Sequence, residues 1–150
     1  MSFVPLRAPP RIKVLEALGA VAGKRVKIKD EKNCYVDASE GPRTYRVFVD
    51  LSNQIAQSDD NGTVFRDYVG YPIIAFLMAL GKISYNEKIA NHIAAIKWRS
   101  LNEQYKSYAK VESVIKKLLS QHGIKPEEVD EFVAKVLQEV EQLGLRKQVI

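Results

Sequence analysis

The stretch "FRDYVGYPIIAFLMALGKISYNEKIA", residues 65–90, decides how the chain is organised. Arg66 and Asp67 lead through Gly70 and Pro72 into eight unbroken apolar residues, Ile73 to Leu80, before Gly81 and a polar restart at Ser84. Proline suits a first helical turn, and a run that is apolar on every side belongs inside a core. The pattern predicts a buried central helix over 72–80. Arg66 then has two readings: a group held beside that helix for use, or a partner of Asp67 or another nearby acid.

Toward the C-terminus the chain reads as helix. Ser84 and Glu87 have capping-box spacing ahead of "YNEKIANHIAAI". Ser100 and Glu103 repeat that spacing and open a longer helix with Leu101, Tyr105, Tyr108, Val111, Ile115 and Leu118 as its apolar stripe. Gly123 stops it, and Pro126 begins a last helix that ends at Gly144.

Toward the N-terminus the period changes. Pro10 starts a helix whose Ile12, Leu15, Leu18 and Val21 fall at helical spacing, with Gly23 at its end. Gly19 inside it costs about 1 kcal/mol relative to alanine, so this helix relies on packing. "RVKIK", "CYVDAS" and "TYRVFVDL" alternate with period two and read as strands. "SNQIAQSDDNG" reads as a polar connection, and "TVFRDYV" as a fourth strand or the approach to a helix. The expected fold is α+β: one mainly α-helical domain over 1–150, with a small antiparallel β-sheet inserted after the first helix. Residues 1–9 are expected to be flexible, 24–69 to hold the sheet, and 72–144 to be helical.

Composition sets the class. With 46% hydrophobic and 27% charged residues, the 150-residue chain is globular and long enough for a real core. Its longest apolar run is far short of the roughly 20 residues of a membrane span. One cysteine, Cys34, makes no internal disulfide, and the first residues lack the pattern of a signal peptide, so a cytoplasmic location is expected. A net charge of +5 favours polyanionic partners.

No catalytic constellation emerges. His92, His122 and Cys34 lack metal-ligand spacing, and there is neither a nucleophile elbow nor a glycine-rich phosphate loop. "SDDNG" reads as a turn before it reads as a metal site. The basic residues form two candidate faces: Arg25, Lys27 and Lys29 on one strand, and Lys106, Lys110 and Lys117 along one helix. The first is a candidate nucleic-acid contact, although either could be an ordinary solvated face.

Three separated stretches, in order, resemble the C-terminal domain of the primase large subunit of archaea and eukaryotes. "PPRIKVLEALGAVAG" is similar to the family's proline pair and the amphipathic helix after it. Residues 65–90 resemble its basic turn, apolar helix, glycine and helix restart. "WRSLNEQYKSY" resembles the segment that opens its next helix. The family domain carries an iron–sulfur cluster on four cysteines, whereas here Arg11 follows the prolines and Cys34 stands alone. No iron–sulfur cluster and no other cofactor is therefore expected. The cluster-free relative of that domain, the third and noncatalytic subunit of some archaeal primases, is the better match.

The resemblance implies a noncatalytic accessory subunit of a DNA primase, in a heterotrimer with the catalytic small subunit and the large subunit. Such a subunit binds the initiating nucleoside triphosphate, template DNA or both, and supports primer initiation. Arg66 falls on a basic position of the family, and the family's second arginine falls on Gly70. Tyr108 matches an aromatic position, and Asn102 and Glu103 match the start of its segment. Helix geometry adds Lys106 and Lys110 as phosphate-neutralising groups. Two other classes fit more loosely: a winged-helix-like DNA- or peptide-binding adaptor, and a basic RNA-binding accessory protein.

Overall fold

The computed structural model describes residues 2–149. In order they form β1 (Ser2–Pro5), α1 (Ile12–Ala22), β2 (Val26–Ile28), β3 (Asn33–Asp37), β4 (Thr44–Asp50) and β5 (Ile55–Ser58). Then come α2 (Asn61–Arg66), α3 (Tyr71–Ala79), α4 (Glu87–Ile93), α5 (Trp98–Tyr105), α6 (Tyr108–Ser120), α7 (Pro126–Leu143) and β6 (Arg146–Val149). The fold is α+β, as the two periodicities predict.

α3 is the buried post. Pro72 lies in its first turn, and Ile73, Ile74, Phe76 and Leu77 are wholly inaccessible. Each such side chain contributes about 1.5–3 kcal/mol of transfer free energy. α1 packs along α3, and Leu15 and Leu18 join the same core. The sheet offers its inner residues to these helices: Cys34 and Val36 on β3, Val47 and Val49 on β4, and Ala56 on β5.

The sheet is larger than the sequence pattern suggested. Its six strands, among the described residues, run in the order β1-β6-β5-β4-β3-β2. β2 to β5 form an antiparallel meander, β6 pairs parallel to β5 through Ile55 and Arg146, and β1 pairs antiparallel to β6. The sheet is thus mixed and takes in both ends of the chain. Residues 2–5, expected to be flexible, are paired with 146–149. β5 lies inside the segment read as a polar connection, and "TVFRDYV" holds the end of a short helix.

Local chemistry explains the remaining differences. Asn86 rather than Ser84 caps α4, its side chain accepting from the Ile89 amide, while Ser84 binds Glu139. Ser100 does not cap a long helix; its hydroxyl donates to Glu40 at 2.6 Å. That expected helix is two, because Lys106 turns left-handed at φ 52° and Ser107 caps a fresh start. No described helix is long and apolar enough to cross a membrane.

Candidate functional site

One face of α1 is the floor of a broad cleft. Lys13, Glu16 and Gly19 are three residues apart and stack along one side of the helix. Gly19 leaves room for the indole of Trp98: a Cβ at that position would lie 3.0 Å from Nε1 and 3.1 Å from the Ile93 carbonyl oxygen. Trp98 is the only tryptophan of the chain, and its buried N–H has no hydrogen-bond acceptor. Its backbone amide donates to the Ser39 hydroxyl, which ties α5 to the β3–β4 loop. With α2, Tyr68, Tyr71 and Tyr108 these elements surround a cavity of about 950 Å³, within the size range of small-molecule sites.

A compact knot places α2 at the cleft edge. The Asp60 carboxylate accepts from the amide and the hydroxyl of Thr63, and the Thr63 hydroxyl in turn accepts from the Gly70 amide. A Cβ on Gly70 would stand 2.1 Å from Asp60 Oδ2, so a larger residue has no space at this position. At the other end of α2, Lys147 from β6 donates to the carbonyls of Thr63 and Val64 and pairs with Asp67 at 2.7 Å. The last turn of α2, which carries Arg66, is therefore held from both sides. Arg66 ends α2; it does not lie at the N-terminus of α3.

The acids of the cleft already have partners. The Lys13 ammonium lies 2.9 Å from Glu16 and 5.1 Å from the centre of the Tyr108 ring. Burial opposes the charge on Lys13, but Glu16 outweighs it and holds the ammonium above its ordinary pKa. Burial pushes the Glu16 carboxyl up. Asp60 caps α2, Glu40 accepts from Ser100, and Glu103 pairs with Arg99 at 3.3 Å.

Two of the arginines have no acid partner among the described residues. Arg43 donates to the neutral Asp59 carbonyl and lies over the Tyr45 ring at 4.9 Å. Arg66 has no ion-pair partner among the described residues, and Asp67 is taken by Lys147. The cleft thus combines balanced formal charge with uncompensated guanidinium groups at its edge. Around them stand phenol rings; burial raises the pKa of Tyr45, Tyr68 and Tyr71, so they stay neutral.

Of the positions singled out from sequence, Arg66, Asn102 and Tyr108 line this cleft together. Lys106 and Lys110 do not: Lys106 is the left-handed cap of α5, and Lys110 borders a shallow depression beside Tyr105. The expected face of Arg25, Lys27 and Lys29 is not a single strand face. β2 spans only Val26–Ile28, Arg25 turns back to the Asp37 carbonyl, Lys27 donates to the Lys24 carbonyl, and Ile28 is half exposed. Sequence reasoning missed Lys13, Glu16, Arg43 and Trp98. The three-residue spacing of Lys13 and Glu16 was the one available signal; Trp98 looked like any core aromatic. Among the described residues no group of three or more His, Cys, Asp or Glu side chains could hold a metal ion.

A family model described as Uncharacterised conserved protein UCP014422 matches residues 6–146. No curated protein and no solved structure matches the chain significantly.

Proposed function

The chain belongs to that family, and we propose that it is a noncatalytic nucleotide-binding protein, with the cleft between α1, α2 and α5 as its site. One observation carries this reading. Arg66, Asn102 and Tyr108, chosen from two separated stretches of sequence, line one cavity together with Trp98 and Arg43. Phosphate oxygens suit guanidinium forks that have no acid of their own, and Arg66 and Arg43 are such groups. A planar base suits the phenol ring of Tyr108, which is partly exposed beside them.

The narrower form of the proposal is the one the resemblance implies: an accessory subunit of a DNA primase that holds the initiating nucleoside triphosphate, template DNA or both. The partners would then be the catalytic small subunit and the large subunit.

Trp98 supplies the test. Titration with a nucleoside triphosphate should change its fluorescence, and Arg66→Ala should weaken binding about tenfold or more, the worth of a charge-assisted hydrogen bond. Unchanged fluorescence at millimolar nucleotide would sink the nucleotide reading. Affinity purification with nuclease added tests the narrower form, which fails if neither primase subunit is retained. Steep salt dependence without nucleotide preference would favour the RNA-binding alternative.

A further inference from the structure

A second cavity of about 530 Å³ adjoins the cleft, lined by Arg7, Ala8, Pro9 and Pro10 on one side and by Arg66, Tyr68 and Tyr108 on the other. Those last three residues also line the main cleft. The two cavities therefore share a wall, and Arg66 with two phenol rings stands at the junction.

Arg7 is fixed there by backbone pairing. It forms a β-bridge with Tyr68, donates its amide to the Asp67 carbonyl, and accepts from the Val69 amide. Its guanidinium donates to the Arg66 carbonyl, so two arginines meet at the end of α2. Neither has an acid partner among the described residues. Two guanidinium-bearing residues without acid partners that line one pocket suit a phosphate bound there. Two tyrosines lining the same pocket are suited to bases that adjoin such a phosphate. Tyr108 is 44% exposed, enough of its ring to receive one.

We propose that the two cavities form one track for a single strand of nucleic acid, in which Arg7 and Arg66 take the phosphate at the junction and Tyr68 and Tyr108 stack on the bases beside it. This rests on the nucleotide reading of the main cleft and gives it a polymer as its ligand. Single strands are bound in this way, by a cationic groove with aromatic platforms that tolerate any base. The main cleft holds one nucleotide, and the pocket beyond Arg66 holds its neighbour.

The test is the length dependence of binding, read from Trp98 fluorescence with thymidine triphosphate and with oligothymidylates of two, four and eight nucleotides. Affinity should rise about tenfold from the mononucleotide to the tetranucleotide and then level off. Arg7→Ala should lower oligonucleotide affinity more than mononucleotide affinity, so that the gain with length disappears, and Arg7→Lys should restore part of it. Far-ultraviolet circular dichroism of both variants verifies that residues 2–9 still anchor the sheet. If mononucleotide and oligonucleotide bind equally, the single-strand track is wrong and the one-nucleotide cleft stands. If neither binds, both readings fall. A length gain that survives Arg7→Ala in a folded variant would also overturn the track, because the second subsite would lie elsewhere.

Discussion

The indole nitrogen of Trp98 occupies the space that a side chain on Gly19 would take, 3.0 Å from the position of its Cβ. Alanine is the better helix former by about 1 kcal/mol, but overpacking a rigid core costs about 1–3 kcal/mol. Trp98 is 3% exposed and the other close atom is a backbone oxygen, so neither yields readily. Gly19→Ala should therefore lose about 1 kcal/mol in urea unfolding and shift the Trp98 emission. A more stable variant would mean that the indole moves aside at little cost.

Lys147 should matter beyond its own strand. Its ammonium satisfies two carbonyls of α2 and pairs with Asp67 while only 8% exposed. Lys147→Met should destabilise the protein by about 2 kcal/mol, since the Thr63 carbonyl is left buried without its donor. It should also weaken nucleotide binding, because Arg66 sits on the turn that Lys147 holds. Retained affinity in the folded variant would show that Arg66 is positioned by Asp60 and Thr63 alone.

Arg11, Glu112, Lys116 and Asp130 join the start of α1 to α6 and α7, with contacts of 2.6–3.1 Å. Burial works to raise the Glu112 carboxyl, but hydrogen bonds from Arg11 and Lys116 outweigh it and hold the carboxyl below its usual value. A lowered carboxylate pKa stabilises the fold above the ordinary value of 4.5 and ceases to as pH falls through the folded value. The melting temperature of Glu112→Gln should lie below that of the parent from pH 7 to about 5, and the gap should close in stronger acid. A gap that stays constant down to pH 3 would mean that the charge of Glu112 contributes nothing.

Cys34 is buried on β3, and burial pushes its thiol up to about 12. The thiolate is the reactive form, so native protein at pH 8 should resist alkylation for hours and react at once in denaturant. Rapid labelling of folded protein would show that β3 opens locally.

The central helix was legible because its eight apolar residues leave no polar face to place in water. α1 and α7 were legible for a related reason, a sustained period bounded by proline and glycine. The break between α5 and α6 was not. Leu101, Tyr105, Tyr108 and Val111 keep helical phase across it, and no glycine or proline marks Lys106, where the chain turns left-handed. β1 and β6 escaped notice because each has four residues and its neighbours are supplied from remote sequence. The cleft was half legible: Arg66, Asn102 and Tyr108 came from sequence likeness, whereas Arg43 and Trp98 reach it only through the packing of a loop on α5.

The pairing of β1 with β6 has a consequence for synthesis. β1, Ser2–Pro5, is made before all the helices and waits for β6, Arg146–Val149, before it has its partner strand. Until then β5 presents a row of unpaired amides and carbonyls where β6 will lie. Nor does Lys147 yet hold the final turn of α2. A nascent chain halted at Leu143 would have its helices but not its finished sheet, and its cleft would lack the support behind Arg66. The support behind Arg66 would thus arrive in one step, once β6 has been translated.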